Sequence, residues 1–226
     1  MASFLKGASI ADFQEFNHLV YSPVDDRFYS IQDLLIQQQR FSMRALKGMR
    51  KRDKEKLKEN LLIAFSFLMA IANRLHIDIE KTVWERFPMV CSYCGKRPCV
   101  CKKTKVQRRV KITRDNSLRP KSLAGFQKMF DAIYPSSTRT VSDAGVHFAE
   151  EIGEVAEATL NFLSQHRPAQ FKTIKNELAD CVSCAFGIAN SAKIDFSTEL
   201  ASMFKNNCHV CHKVPCQCSF ASVASY

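Results

Sequence analysis

The chain has 226 residues, of which 46% are hydrophobic and 24% charged, and this composition excludes an intrinsically disordered protein. Seven glycines and seven prolines are too few for a turn-rich all-β fold, so the composition favours helices. The net charge of +11, from 33 basic and 22 acidic residues, leaves binding of nucleic acid or of phosphorylated ligands open.

The amino-terminal half predicts an all-α fold, with helices at residues 31–43, 57–75 and 79–87. Its longest apolar stretch, residues 61–72, is too short to span a bilayer and fits a buried helix better. The first residues form no apolar run of signal-peptide length. We therefore expect a cytoplasmic protein with no membrane partner, whose cysteines stay reduced.

Residues 91–101 and 208–218 share one cysteine pattern, which is CxxC, four residues, then CxC. Four thiolates so close together are typical of a structural Zn²⁺ site, so we expect two zinc ions. The spacing leaves open whether each ion is held within one set or shared between both. His209 and His212 are alternative ligands, and iron–sulfur ligation or disulfides are alternative uses of the thiols. The predicted zinc ligands are Cys91, Cys94, Cys99, Cys101, Cys208, Cys211, Cys216 and Cys218.

The cysteine pattern belongs to a longer internal repeat. Residues 58–101 align with residues 175–218 without a gap, with 15 identities in 44 positions. FQEFNHLVY, at residues 13–21, also resembles FQKMFDAIY, at residues 126–134. Such a period indicates a duplication. The predicted organisation is a helical repeat at 1–90, a cysteine set at 91–101, a basic linker at 102–122, a second helical repeat at 123–207, a second cysteine set at 208–218 and a tail at 219–226.

The second repeat carries two pairs of acids on two predicted helices. Glu151 and Glu154 form an ExxE motif, and Glu177 and Asp180 form an ExxD motif. Residues three apart share a helix face, and a turn near Pro168 would bring the pairs together. Charged carboxylates about 4 Å apart repel by roughly 4 kcal/mol per pair at an effective dielectric constant near 20. A hard cation such as Mg²⁺ would turn that repulsion into a binding site.

This ExxE and ExxD pattern resembles the signature of the MazG-type all-α nucleoside-triphosphate pyrophosphohydrolases. GIANSAKIDFSTEL, at residues 187–200, resembles the stretch that follows ExxD in that family, and the likeness covers about residues 126–207. The resemblance implies Mg²⁺-dependent hydrolysis of a nucleoside triphosphate to the monophosphate and pyrophosphate. The implied metal ligands and catalytic residues are Glu151, Glu154, Glu177 and Asp180. Lys205 and Asn206 match a substrate-contacting position of the family, and Lys175 is a further candidate substrate contact near the acids.

The first repeat departs from the family pattern, because Asn60 replaces Glu177 and Ile63 replaces Asp180 in the ungapped alignment. It therefore lacks such a metal site. MazG-type enzymes usually assemble from identical subunits, so the resemblance implies a tandem MazG-like bundle that forms a pseudo-dimer in one chain. Arg40, Arg44 or Lys47 of the first repeat would then face the bound phosphates. Further homo-oligomerisation remains open.

A second hypothesis is a non-enzymatic adaptor, in which the zinc sites and basic runs bind nucleic acid or protein. The basic runs lie at residues 47–59 and 102–114, and we interpret them as a solvated helix face and a flexible linker. Retention of the acids in one repeat, beside their loss in the other, favours the enzyme. We interpret His147 as a helix-face residue, and Cys181 and Cys184 as small core residues.

Overall fold

The structure is a computed structural model that describes residues 4–218, so the predicted tail at 219–226 lies outside the described residues. Over this range the chain forms α-helices and no strand, which confirms the all-α prediction. No described helix is by itself long and apolar enough to cross a membrane. The helices Lys54–Arg74 and Ile79–Arg86 meet that test only together, as a pair bent by 100°. The helices are α1 (Ile10–Phe28), α2 (Ile31–Arg50), α3 (Lys54–Arg74), α4 (Ile79–Arg86), α5 (Cys101–Thr104), α6 (Leu123–Ile133), α7 (Val141–Gln165), α8 (Pro168–Ala192) and α9 (Phe196–Met203).

Side-chain caps fix where several helices begin. The Ser30 hydroxyl accepts the Asp33 amide, and the Asp33 carboxylate accepts the Ser30 amide, a capping box that also opens α1 and α7. Asp195 caps α9 by accepting the Thr198 amide. Helix α2 continues to Arg50 rather than ending at residue 43, because its buried face extends through Ala45. The basic run at 47–59 therefore forms two helix ends and the turn between them, not one helix face.

Two helix hairpins form the centre of the molecule. Helix α2 packs along α3 and α7 packs along α8, and contacts between α2 and α7 and between α3 and α8 join the hairpins into one core. Three aromatic rings, from Phe65, Phe186 and Phe196, meet across this junction with centroids 4.9 to 6.1 Å apart. Helix α1 lies on α3, and helices α4 and α6 lie on α8.

One hydrogen-bond network occurs in both halves. We call residues 4–101 the first half and residues 123–218 the second half. In the first half, a glutamine of α1 donates to an asparagine near the end of α3 and to the carbonyl two residues before α4 begins. In the second half, a glutamine of α6 makes the same two hydrogen bonds to the end of α8 and to the carbonyl two residues before α9 begins. The two donor–acceptor distances are 3.0 and 2.7 Å in both halves. The residues are Gln14, Asn73 and Ile77 in the first half, and Gln127, Asn190 and Ile194 in the second.

The end of each half crosses onto the other half. Phe87, which follows α4, packs on Phe130 of α6 with ring centroids 5.2 Å apart. Phe204, which follows α9, packs on Phe16 of α1 with ring centroids 5.8 Å apart. The end of the first half thus packs on α6 of the second, and the end of the second half packs on α1 of the first. This reciprocal contact has the pattern of an isologous interface between subunits.

Candidate functional site

Three of the four predicted carboxylates come together between α7 and α8. Oxygens of Glu151, Glu177 and Asp180 all lie within 4.8 Å of one another, and the three side chains are partly buried. Glu151 belongs to α7 and the other two to α8, which the short turn before Pro168 folds back along α7. We call these residues the acid triad. Three carboxylate oxygens at this spacing could hold a hard divalent cation.

The fourth predicted carboxylate, Glu154, is exposed and does not belong to the triad. Glu177 and Asp180 are also three residues apart and both belong to the triad, so the difference is one of depth: Glu151 is partly buried, whereas Glu154 is exposed. The charge of Glu154 still contributes, after burial and the charge of Asp180, to the raised pKa of Glu177. The predicted four-carboxylate site is therefore a triad with Glu154 at its exposed edge.

Burial and mutual repulsion disfavour full ionisation of the triad. Burial first, and the charges of Asp180 and Glu154 second, raise the pKa of Glu151 to about 8. The same causes raise the pKa of Glu177 to about 7. The Oε2 atom of Glu151 is buried and has no hydrogen-bond partner among the described residues. A cation would pair this oxygen and lower both pKa values, so the residues present fit a metal ion.

Arg86, from the end of α4 in the first half, closes one side of the triad. Its Nε donates to Oδ1 of Asp180 at 3.0 Å, and its Nη2 donates to Oδ2 of the same carboxylate. The Arg86 and Asp180 side chains are only 12% and 15% exposed. Burial alone would lower the pKa of Arg86, but its bonds with Asp180 and the charge of Glu177 outweigh burial and raise that pKa. The first half therefore supplies a cation to the acids of the second half.

A second guanidinium, that of Arg139, packs on α8 nearby. Its Nε and Nη2 atoms are buried, and neither has a hydrogen-bond partner in the part of the chain that the structure describes. Burial lowers the pKa of Arg139, and the neighbouring Cys184 counters this. A Cβ atom added at Gly187 would lie only 2.9 Å from Nη2, so the glycine makes room for the guanidinium. Sequence patterns could not reveal Arg86 or Arg139, because each is a lone basic residue outside the acidic motifs.

The predicted substrate contacts do not join the triad. Lys205 and Asn206 are exposed between α9 and the second cysteine set, in the segment that crosses onto the first half. Lys175 places its Nζ over the ring of Phe171, 5.1 Å from the centroid. Their contact with a substrate stays a prediction, and it requires a ligand that reaches beyond the acids.

Other residues singled out in the sequence have structural partners. His147 is exposed and its Nδ1 lies 3.1 Å from Oε2 of Glu150, within the same helix. Cys181 is fully buried, and its sulfur accepts a hydrogen bond from Gln38 of α2 at 3.6 Å. Cys184 is partly buried. These positions agree with a helix-face histidine and with two core cysteines.

The two cysteine sets each close on themselves. The four sulfurs of residues 91–101 lie within 4.8 Å of one another, and so do those of residues 208–218. We call these sets knuckle 1 and knuckle 2. Each set could therefore hold a metal ion alone, and no ligand group drawn from both sets occurs among residues 4–218. All ten cysteines are free of disulfides. Neither His209, which lies 3.2 Å from the Tyr21 hydroxyl, nor His212 belongs to the ligand group.

Each knuckle is anchored on the opposite half. The amide of Cys99 donates to the carbonyl of Ile133, at the end of α6, at 2.8 Å. The amide of Cys216 donates to the carbonyl of Val20, within α1, at 2.7 Å. In knuckle 2, a hydrogen bond from the Cys216 thiol lowers the pKa of Cys208 to about 4, which favours the thiolate that a metal requires.

Comparisons with protein-family models, with curated proteins and with solved structures found no match.

Proposed function

We propose that the protein is a Mg²⁺-dependent nucleoside-triphosphate pyrophosphohydrolase with one active centre, at the acid triad. The observation that carries this proposal is the convergence of Glu151, Glu177 and Asp180 with an unpaired, buried oxygen on Glu151. A buried polar atom without a partner is costly, and three carboxylates make the site specific for a hard cation.

The acids of the second half would divide the work at this centre. Glu151, Glu177 and Asp180 would hold Mg²⁺, which when bound neutralises phosphate charge and activates a water molecule. Glu154, at the exposed edge, would add negative charge beside Glu177. Arg86 would fix the Asp180 carboxylate through its two-pronged contact.

We infer further that the chain is a tandem MazG-like duplication. The shared helix order and the repeated glutamine–asparagine network support this origin, as does the reciprocal packing of the two ends. The first half, with Asn60 and Ile63 where the second has acids, would be catalytically silent. It would contribute structure and Arg86.

The test is incubation of the zinc-loaded protein with each common nucleoside triphosphate and Mg²⁺, followed by detection of pyrophosphate. Glu151→Gln and Asp180→Asn should each lower kcat by at least about 100-fold, since each removes a ligand charge. Glu157→Gln, at an exposed position of the same helix α7, is the matched control and should retain activity. Cleavage of no nucleotide, or full activity in the triad variants, would contradict the proposal.

A second candidate function is nucleic-acid binding beside knuckle 1. The linker after Cys101 lies along this knuckle, where the Val110 amide donates to the carbonyl of Tyr93 at 3.1 Å. The guanidinium of Arg109 lies over the Tyr93 ring, 5.5 Å from its centroid. The linker's basic side chains are exposed, as predicted: Lys102, Lys103, Lys105, Arg108, Arg109, Lys111 and Arg114.

Single-stranded RNA and DNA binding, measured across a range of salt concentrations, tests this second function. Phosphate contacts would make affinity fall steeply with salt, and loss of one contact in Arg108→Ala should reduce the slope by roughly one. Lys128→Ala, at an exposed position of α6 outside the linker, is the control with the same charge change. Absent or salt-insensitive binding would remove this candidate.

A further inference from the structure

A cavity of about 970 Å³ lies in the first half, in the region that corresponds to the acid-bearing face of the second. Its walls come from α1, α2, α3 and knuckle 2, and they include Asn60 and Ile63, the positions aligned with Glu177 and Asp180. The acid triad does not line this cavity. The first half has therefore lost the carboxylates and kept a volume that suits an organic ligand.

Three cations line the cavity without carboxylate partners. Arg44, Lys47 and Lys56 form no ion pair within residues 4–218. The guanidiniums of Arg40 and Arg44 lie over one ring, that of Phe41, at 5.5 and 5.6 Å from its centroid. Burial, and then the charge of Arg40, lowers the pKa of Arg44. An anion placed here would relieve this repulsion.

Most acids of the cavity wall already have a partner or carry a reduced negative charge. Asp53 caps α3 by accepting the Lys56 amide at 3.0 Å. Glu55 pairs with Lys58, outside the cavity wall, at 2.6 Å. Burial raises the pKa of Asp25 to about 7, so this carboxyl carries only part of a charge near neutral pH. Glu59 is the remaining acid of the wall, and it is exposed.

Aromatic rings complete the lining. Phe41 and Phe67 stack with centroids 5.6 Å apart and ring planes 13° apart, and Phe67 is only partly buried. Phe67 aligns with Cys184 of the second half, so this ring is particular to the cavity. A planar heterocycle can lie against such a surface, and the neighbouring cations can bind phosphate.

We propose that this cavity is a second, metal-independent binding site for a nucleoside phosphate. Arg44, Lys47 and Lys56 bind its phosphate groups, and the Phe67 ring packs against its base. The acid triad takes no part, so the inference does not depend on hydrolysis there. The ligand stays uncleaved, because Asn60 and Ile63 cannot hold a catalytic cation.

The experiment measures binding of AMP, ADP and inorganic pyrophosphate by calorimetry to zinc-loaded protein carrying Glu151→Gln and Asp180→Asn, with no divalent cation added. No chelator is used, because knuckle 2 forms part of the wall. ADP should bind, and Arg44→Ala and Lys47→Ala should each weaken binding at least about 10-fold. Arg50→Ala, an exposed residue of the same helix that does not line the cavity, should change the affinity less than about 2-fold.

Two results separate a nucleoside site from a general anion site. Phe67→Leu should weaken the binding of ADP by about 5-fold or more and leave the affinity for pyrophosphate unchanged. Lys47 is exposed, so its variant retains the fold, which the unfolding midpoint verifies. The proposal is overturned if ADP does not bind, if Arg50→Ala weakens it as much as Lys47→Ala, or if pyrophosphate binds as tightly as ADP and Phe67→Leu has no effect.

Discussion

Arg86→Met tests whether the first half holds the acids of the second half in place. Methionine is the residue at the aligned position 203, so the change makes the two halves alike there. Removing one partner of a buried ion pair costs about 3–5 kcal/mol. Because the Arg86 and Asp180 side chains are still 12% and 15% exposed, we expect Arg86→Met to lower the free energy of unfolding by the smaller of these values, about 3 kcal/mol.

Mg²⁺ should change this result. A cation bound at the triad supplies the positive charge that Asp180 loses with Arg86. The loss of unfolding free energy caused by Arg86→Met in saturating Mg²⁺ should therefore be less than about half of the loss without Mg²⁺. Urea unfolding of both proteins, with and without Mg²⁺, measures the difference. A loss below about 1 kcal/mol in the absence of the metal, or an equal loss with and without it, would refute the idea that guanidinium and metal compensate the same charge.

Arg119→Met is the matched control for this comparison. Arg119 donates to Glu80 at 2.8 Å, and their side chains are 33% and 10% exposed. The pair lies outside the triad, so its loss should destabilise the protein by about 1–2 kcal/mol, whether or not Mg²⁺ is present. A magnesium-dependent loss in this control would show a general effect of the salt instead.

Three further predictions follow from the structure. The pKa of Glu151 is raised from 4.5 to about 8, so the folded state binds a proton that the unfolded state has lost in this range. Without Mg²⁺, stability should therefore fall as pH rises through this window, by at most about 1.4 kcal/mol per pH unit from this carboxyl, and Glu151→Gln should flatten the unfolding profile. Cys94→Ser should reduce the zinc content from two ions per chain to one, measured by elemental analysis, and a content that stays at two would contradict separate sites. Gly187→Ala should destabilise the protein by about 1 kcal/mol in thermal unfolding, because its Cβ would meet Arg139, whereas Gly153→Ala, with nothing within 4 Å, should stabilise it by up to about 1 kcal/mol.

Local signals in the sequence were sufficient for the helices. The helices predicted at 31–43, 57–75 and 79–87 depend on patterns among neighbouring residues, and α2, α3 and α4 lie there in the structure. The end of α2 was predicted too early, because Lys47 and Arg50 look like a solvated run, whereas Ala45 and Gly48 on the same turns are buried. A helix continues where one face remains packed, and that packing is tertiary information.

The candidate site could be predicted only in part. Spacing on two helices was enough to bring Glu151, Glu177 and Asp180 together. It did not separate Glu154 from them, because an i, i+3 pair shares a face without sharing the same depth. The contact of Arg86 with Asp180 could not be predicted, because the two residues lie 94 positions apart in the chain. They meet only because α4 packs on α8 of the other half.

The residues at the ends of α4 and α9, where each half packs against the other, show how the two halves differ in charge. At the end of α4, Arg86 faces the half that contains the acid triad and binds Asp180. At the equivalent place, the end of α9, Met203 lines the cavity in which Asn60 and Ile63 stand instead of acids. A guanidinium is placed where buried negative charge has to be balanced, and an apolar side chain where that charge is missing. The two positions therefore fit two centres of opposite character, an acidic one suited to a metal ion and a basic, aromatic one suited to an organic phosphate.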